Sequence, residues 1–220
     1  MGIDLDGSRI MADMTDRTTR RLSESNRVEA FSDGVFSIAI TLLVLELAVP
    51  VVAGRFAMDL ADEVVSYVAY LAAFGTIGVL WMGHHTVFTR IAAVDSGLLW
   101  RNLVLLLTVS VVPFPTAVIG SAYRVGTAAD QAAAVVAYAA VGVASGVAWT
   151  LLFTYLRRRT DLLDPATDPR WFRLSETLIT LVGYTVAGLI GWLVSPAIAL
   201  VIFLVFPVVY VLRVRSNEAG

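Results

Sequence analysis

An uncharged run of 36 residues, 177–212, constrains this chain more than any other feature of its sequence. As one helix rising 1.5 Å per residue it would extend about 54 Å, whereas the hydrocarbon core of a membrane is about 30 Å thick. The run must therefore fold back. Ser195-Pro196 near its middle is a turn signal, because proline lacks a backbone N–H and restricts the residue before it. We interpret the run as two membrane-spanning helices.

Further segments nearly free of charge account for most of the remaining chain. Hydrophobic residues make up 58% of the 220 residues and the mean hydropathy is +0.78, whereas soluble domains contain roughly 45–50% apolar residues. Because a span needs about 20 apolar residues, we predict an all-α polytopic membrane protein with six transmembrane helices. The predicted spans are about 29–49, 63–88, 99–121, 131–156, 175–194 and 197–213.

The arginines indicate the direction of these spans. All 16 basic residues are arginine. With the N-terminus inside, the external loops carry only Arg55 and Arg124, and the other 14 arginines lie on cytoplasmic segments. This asymmetry follows the positive-inside rule and predicts that both termini are cytoplasmic. An odd number of spans would put Arg213 and Arg215 on the outer side.

The composition also excludes several classes of site. With a net charge of −2 and no clustered basic face, nucleic acid is not an expected partner. The absence of cysteine excludes disulfides, thiolate metal sites and a cysteine nucleophile. We interpret residues 1–26 as a disordered or loosely helical cytoplasmic tail, 27–215 as the transmembrane domain and 216–220 as a C-terminal tail. No soluble catalytic domain and no enzymatic activity are expected.

The first span differs from the others because it carries two carboxylates. Asp33 lies about one and a half turns in from Arg27, and Glu46 lies about one turn before Pro50. An ionisable residue within a span predicts a functional site, since its cost in lipid requires a partner or water. The alternative is a pair of interfacial charges whose side chains reach the aqueous boundary. Both interpretations stay open at this point.

Helical spacing places three aliphatic residues of this span on one face. Ile38, Leu42 and Leu45 follow one another at i, i+4 and i+7, within about 60° at 100° per residue, and Thr41 lies beside them. Periodicity alone is also typical of a lipid-facing or ordinarily packed stripe. It does not by itself assign a function to this face.

The start of the span resembles a known family. Arg27, Phe31, Ser32 and Asp33 open the apolar helix, and this arrangement resembles the signature of the transmembrane protein 175 family of potassium channels. The similarity extends through residue 47 and, with six spans, over roughly residues 27–215. Further matching positions are Trp81, His84, His85, Phe88, Asn102, Pro113, Phe114, Pro115 and Thr116.

The resemblance implies a homotetramer in membrane lipid, since prokaryotic members have one six-helix unit per subunit and place four first helices around a central pore. It implies that Ile38, Leu42 and Leu45 form the rings where the pore narrows. Such rings offer no oxygen ligands and act as a hydrophobic gate. Thr41 and Glu46 are the expected polar pore-lining residues. Potassium is the expected permeant ion, with no cofactor and no resident metal, in a bacterial plasma membrane.

A second expectation concerns the cytoplasmic end of the first span. Arg27, Ser32 and Asp33 are predicted to lie at the level where the second span ends, near Trp81 and His84, and where the third span begins, near Asn102. We expect Asp33 to accept hydrogen bonds from this set and to hold the first helix against its neighbours.

Two other functional classes compete with a channel. A proton- or cation-coupled secondary transporter would use Asp33, although the inverted pair of broken helices typical of transporters is missing: Pro113 and Pro115 break the third span without a counterpart in the other half. An intramembrane enzyme would need a nucleophile elbow, paired aspartates or a metal-spaced cluster, and the sequence contains none. His84 and His85 point about 100° apart, so they are expected to pack or to sense cytosolic pH rather than to chelate one metal together.

Overall fold

The structure, a computed structural model, describes residues 5–49 and 53–218, with side chains for 24–49 and 53–212. These residues contain no β-strand, only an isolated antiparallel bridge between Ile91 and Leu163. The predicted all-α class is confirmed. The α-helices are α1 (Leu5–Leu42), α2 (Phe56–Asp62), α3 (Val64–Phe88), α4 (Ser96–Val111), α5 (Pro113–Val125), α6 (Ala128–Arg158), α7 (Leu174–Leu193) and α8 (Pro196–Glu218).

Five helical segments are long and apolar enough to cross a membrane. They are Glu24–Glu46, Val64–Phe88, Ser96–Val125, Ala128–Arg158 and Pro169–Leu193. The sixth predicted span corresponds to the apolar helix Pro196–Leu212, which is shorter than these five. It is separated from α7 by Val194 and Ser195, at the predicted Ser-Pro turn. A sixth crossing of the membrane by this helix stays a prediction.

The first helix is longer than its apolar segment. From Leu5 it continues without a break to Leu42 and crosses the boundary that the sequence places between residues 26 and 27. Residues 8–33 contain neither glycine nor proline, so nothing in them stops a helix that packing has already formed. At the other end the helix tightens into a 3-10 turn, Leu43–Glu46, and residues 47–49 of the predicted first span lie beyond the helix.

The third span is broken at Val112. Here α4 ends and α5 begins with Pro113, whose missing N–H is tolerated in the first turn of a helix. Pro113 and Pro115 are both buried. The break that the two prolines predict is therefore present.

A central core joins the helices, with Phe36 of α1 and Leu43 of the 3-10 turn in one cluster with Ile77 of α3 and Phe203 of α8. Helices α6 and α7 approach closely because Gly142 has no side chain: a Cβ there would lie 2.2 Å from the ring of Tyr184. This contact positions Tyr184 inside the subunit rather than toward lipid.

Three segments that the sequence assigns to the cytoplasm meet at one end of the molecule. Ser25 Oγ donates to the carbonyl of Ile91 at 3.2 Å, and Ile91 pairs with Leu163 in the β-bridge. At the opposite end, Arg124 Nη1 lies 3.2 Å from Glu63 Oε1, so two segments predicted to be external also meet. The contacts agree with the predicted alternation of the loops.

A hydrogen-bonded group at the cytoplasmic end is centred on Asp95, the N-cap of α4. Its carboxylate accepts from Tyr155 Oη at 2.6 Å, from Arg159 Nη1 at 2.7 Å and from the backbone N–H of Leu98 at 2.8 Å. Partial burial raises the pKa of Asp95, but these hydrogen bonds and the positive charge of Arg159 outweigh burial and hold the pKa below its usual range.

Candidate pore-lining helix

One face of α1 is packed against the subunit and the opposite face is not. Ser32, Phe36, Ala39 and Leu43 are buried at helical spacing. On the other side the exposed fractions of Ile38, Leu42 and Leu45 are 60%, 41% and 73%. The three predicted constriction residues therefore share an unpacked face. Phe31, at 57% exposure, falls on the same face about 10 Å nearer the cytoplasmic end.

The 3-10 turn changes the geometry of this face. Ile38 and Leu42 belong to the α-helix, whereas Leu45 belongs to the turn, where each residue advances about 120° and about 2.0 Å. Leu45 therefore lies almost directly above Leu42 instead of about 60° away. Both steps, from Ile38 to Leu42 and from Leu42 to Leu45, are about 6 Å along the axis. The three side chains form an evenly spaced column.

The two predicted polar pore-lining residues differ in orientation. Thr41 is exposed beside the column, and its hydroxyl donates to the backbone carbonyls of Ser37 and Ile38 at 3.0 and 2.9 Å. Its proton is thus directed toward the helix and its lone pairs away from it. Glu46 is half-buried, about 120° around the turn from Leu45. The structure therefore does not align Glu46 with the aliphatic column.

A buried chain of hydrogen bonds connects α1, α4 and α3. Ser32 Oγ donates to the carbonyl of Val28 at 2.8 Å, and Asn102 Nδ2 donates to Ser32 Oγ at 2.9 Å. Asn102 Oδ1 then lies 2.9 Å from His84 Nε2. Because this oxygen can only accept, the proton is on Nε2 of His84. All three side chains are at most 2% exposed, so the chain fixes α1 against its neighbours without water.

His84 completes this chain in apolar surroundings. Its ring stacks on Phe88 with centroids 4.2 Å apart and lies 5.4 Å from the ring of Phe36. Its Nδ1 atom is buried and has no hydrogen-bond partner. The neutral Nε2–H tautomer leaves a lone pair there, whereas a protonated ring would leave an unpaired N–H.

A second polar group lies outside this buried chain. Trp81 Nε1 donates to Asp33 Oδ1 at 2.9 Å, and His85 Nδ1 lies 2.8 Å from Glu29 Oε1. The rings of Trp81 and His85 stack with centroids 6.1 Å apart. These contacts connect α1 to α3 at the partly exposed edge of their interface.

We expected Asp33 to accept hydrogen bonds from the polar groups at this level, and it accepts one from Trp81 of α3. The buried chain that also reaches α4 is centred on Asn102 and contacts Ser32 rather than Asp33. The physical reason is that Ser32 and Asp33 are adjacent and point about 100° apart, so only one of them faces α4. Arg27 is exposed. Sequence reasoning missed Glu29, for which the spacing of four residues to Asp33 was the available signal.

No group of three or more His, Cys, Asp or Glu side chains in the described residues is arranged to hold a metal ion. What the geometry offers is a column of exposed aliphatic side chains beside a hydroxyl, on a helix that buried hydrogen bonds hold in place. Thr41 brings a side-chain oxygen next to this column.

Comparison with known proteins gives consistent matches. Residues 27–113 match the family model described as "Endosomal/lysosomal potassium channel TMEM175". The chain is 44% identical over 149 residues to a potassium channel of Streptomyces collinus, covering 67% of this chain and 71% of that protein. It is 39% identical over 150 residues to a potassium channel of Chamaesiphon minutus, covering 66% and 72% of the two chains.

A solved structure agrees with these sequence matches. The crystal structure of a lysosomal potassium-selective channel TMEM175 homolog from Chamaesiphon minutus superposes with a TM-score of 0.74 at 31% identity, covering 87% of this chain and 98% of that one. The resemblance read from the Phe31-Ser32-Asp33 motif is thereby confirmed. This chain is an integral membrane protein and belongs to the TMEM175 family.

Proposed function

We propose that this chain is one subunit of a potassium-permeable channel, in which four copies of α1 surround a central pore in a bacterial plasma membrane. The observation that carries the proposal is the exposed column of Ile38, Leu42 and Leu45 opposite the packed face of α1. A ring of identical helices turns such a column toward its axis. Two bacterial relatives named as potassium channels support the choice of ion.

The column acts as the gate and as part of the selectivity element. Four Ile38 side chains provide no oxygen to replace the water of an ion, so a small rotation of α1 alters the radius and the hydration of the passage. The Thr41 hydroxyl lone pairs lie about 4.5 Å further along the axis. They offer a partly dehydrated potassium ion one ring of oxygen ligands next to the constriction.

A channel is favoured over the coupled transporter that Asp33 suggested. Asp33 Oδ1 already accepts a hydrogen bond from Trp81, and this pair lies away from the aliphatic column. The matching proteins named above are channels as well.

The test is to record currents from purified protein in planar bilayers under a potassium-versus-sodium gradient. Wild type should give discrete currents with a potassium-favouring reversal potential, and Ile38→Asn should change conductance or selectivity, because it places amide groups in the ring. The matched control is Ile198→Asn, the same substitution at a position of α8 that is 46% exposed. Slow, saturable flux without channel events from assembled wild type would contradict the proposal.

A further inference from the structure

A cavity of about 750 Å³ lies within the subunit, enclosed by α3, α6, α7 and α8. Its volume is within the roughly 300–1,000 Å³ range of sites that bind drug-sized ligands. Along α3 its wall extends from Thr76 to Val87, about 16 Å, from the middle of the helix toward its cytoplasmic end. Among the described residues, none of the lining residues belongs to α1, so the cavity is distinct from the proposed pore.

The inner end of the cavity contains hydroxyl groups that already bond to one another. Thr76 Oγ1 lies 3.2 Å from Tyr184 Oη, and Tyr138 Oη donates to Thr76 Oγ1 at 3.4 Å. Between this end and the mouth the wall is formed largely by apolar side chains such as Leu80, Val141 and Phe206. The inner part therefore suits a hydrocarbon chain rather than a charged group.

The mouth of the cavity has the opposite character. Arg170, Trp171 and Arg173 line it on the segment before and at the start of α7, and the guanidinium of Arg90 lies 3.8 Å above the Trp171 ring. Asp168 and Glu176 also lie at the mouth, but the Asp168 carboxylate accepts from the backbone N–H of Arg170 at 2.8 Å and caps the turn. The guanidinium groups of Arg170 and Arg173 therefore line the mouth, with Arg90 held behind the Trp171 ring, while one of the two carboxylates there is already engaged by the backbone.

We propose that this cavity binds one hydrocarbon chain of an anionic amphiphile, with its phosphate or carboxylate head group at Arg170 and Arg173. The gradient from an apolar interior to a basic, tryptophan-containing mouth matches the two ends of such a molecule. Basic sites between transmembrane helices on the cytoplasmic side are where anionic head groups bind, and tryptophan is typical of that depth.

Native mass spectrometry of the purified, assembled protein tests the proposal independently of ion conduction. The probes are dioleoylphosphatidylglycerol, dioleoylphosphatidylcholine, oleate and inorganic phosphate. We expect retention of phosphatidylglycerol or oleate at one per subunit, clearly above phosphatidylcholine, and no retention of phosphate alone. Retention of only one of the two anionic lipids would identify the source of the head group. Equal retention of phosphatidylcholine, or retention of phosphate alone, would overturn the proposal.

Two pairs of variants locate the bound chain. Arg170→Gln combined with Arg173→Gln should lower retention of the anionic lipid severalfold, whereas Arg157→Gln with Arg158→Gln, at exposed positions outside the cavity, should not. Because Arg170 and Arg173 are exposed, their substitution leaves the packing between the helices intact. This pair of variants is therefore informative even if the glycine variants described next fail to fold. Equal losses in both double variants would overturn the head-group assignment.

The second pair tests occupation of the interior. A Cβ at Gly83 lies 3.8 Å from the Trp149 ring, an ordinary contact, so Gly83→Leu fits the backbone and extends into the cavity. Gly78→Leu places the same side chain on α3 where nothing lies within 4 Å and outside the cavity. Both variants should elute from size-exclusion chromatography as wild type does, and only Gly83→Leu should lose the bound anionic lipid. Unchanged lipid retention by Gly83→Leu would overturn the proposed binding site.

Discussion

Asn102 Nδ2 donates a hydrogen bond to Ser32 Oγ over 2.9 Å and so joins α4 to α1 at a depth where both side chains are buried. The other end of the same amide accepts from His84 of α3. One asparagine therefore bonds to two neighbouring helices at once, in surroundings where water cannot replace either bond.

Asn102→Leu should lower the free energy of unfolding by about 2 kcal/mol, because interhelical hydrogen bonds in membrane proteins contribute about 1 kcal/mol each. Ser32→Ala removes one of the two bonds and should cost about half as much. Each variant is heated in detergent, and size-exclusion chromatography gives the temperature at which half of the assembled protein is lost. These midpoints rank the variants by stability. Ser37→Ala, on the exposed face of α1, is the control. If the thermal midpoint of Asn102→Leu equalled that of this control, the stabilising role of the Asn102 hydrogen bonds would be contradicted.

Cysteine substitution can map the column, because the chain contains no native cysteine. Currents through Ile38→Cys, Leu42→Cys and Leu45→Cys should be blocked by Cd²⁺, since a ring of thiolates at the axis binds soft divalent ions. Leu43→Cys, next to Leu42 but fully buried, should resist the block. The measurement is current before and after Cd²⁺. Block of Leu43→Cys with none at Leu42→Cys would place the other face of α1 toward the pore.

Asp33→Asn separates the channel from a coupled transporter. The amide oxygen can still accept from Trp81, so we expect assembly and conduction close to wild type. Trp81→Phe removes the donor, and it should lower the free energy of unfolding by about 0.5–1 kcal/mol, because the bond is partly exposed. Flux assays in proteoliposomes and thermal midpoints give the two readouts. Abolished flux in Asp33→Asn, with normal flux in Trp81→Phe, would instead favour a proton-carrying carboxylate.

We expect the stability of the folded protein to depend on pH through the charge of Asp95. Its folded-state pKa is lowered, so the ionised form contributes stability that is fully present above the unfolded pKa of about 3.9 and is lost as pH falls through the folded value. Asp95→Asn keeps an N-cap side chain but loses the charge and should cost less than about 1 kcal/mol at neutral pH.

The thermal midpoint of both proteins in detergent between pH 7 and pH 3 checks this dependence. The wild-type advantage should shrink as pH falls below about 4, because the unfolded chain then takes up a proton at Asp95 more readily than the folded protein, whose pKa is lowered. Asp62→Asn, at an exposed aspartate at the end of α2, serves as the control. A wild-type advantage that persisted unchanged to pH 3 would contradict the role of the Asp95 charge.

Sequence patterning was most informative where it depends on one helix alone. Ile38 and Leu42 follow the α-helical period, so their common face is predictable without any partner. Leu45 lies on that face for a different reason, because the helix tightens after Leu42, and no proline or glycine in residues 43–46 signals the change. For residues 8–26 the sequence left a disordered and a loosely helical tail both open, because polar composition says little about helix continuity, and the structure has an uninterrupted helix there.

Contacts between helices were harder to predict. That Ser32, His84 and Asn102 lie at one level follows from the order of the spans, but which of Ser32 and Asp33 faces α4 depends on the rotation of α1 about its axis. One sequence does not fix that rotation. The cavity beneath Arg170 and Trp171 was likewise not predictable, since four helices distant in sequence form it.

The 3-10 turn after Leu42 makes the outer end of the proposed pore mechanically separable from its inner end. Rewinding three residues from 3-10 to α-helical geometry would turn Leu45 by about 60° and draw it inward by about 1.5 Å. Ile38 and Thr41 would not move, because their turn is already α-helical. The outermost aliphatic ring can therefore be retracted by local winding, whereas the ring at Ile38 requires the whole of α1 to rotate.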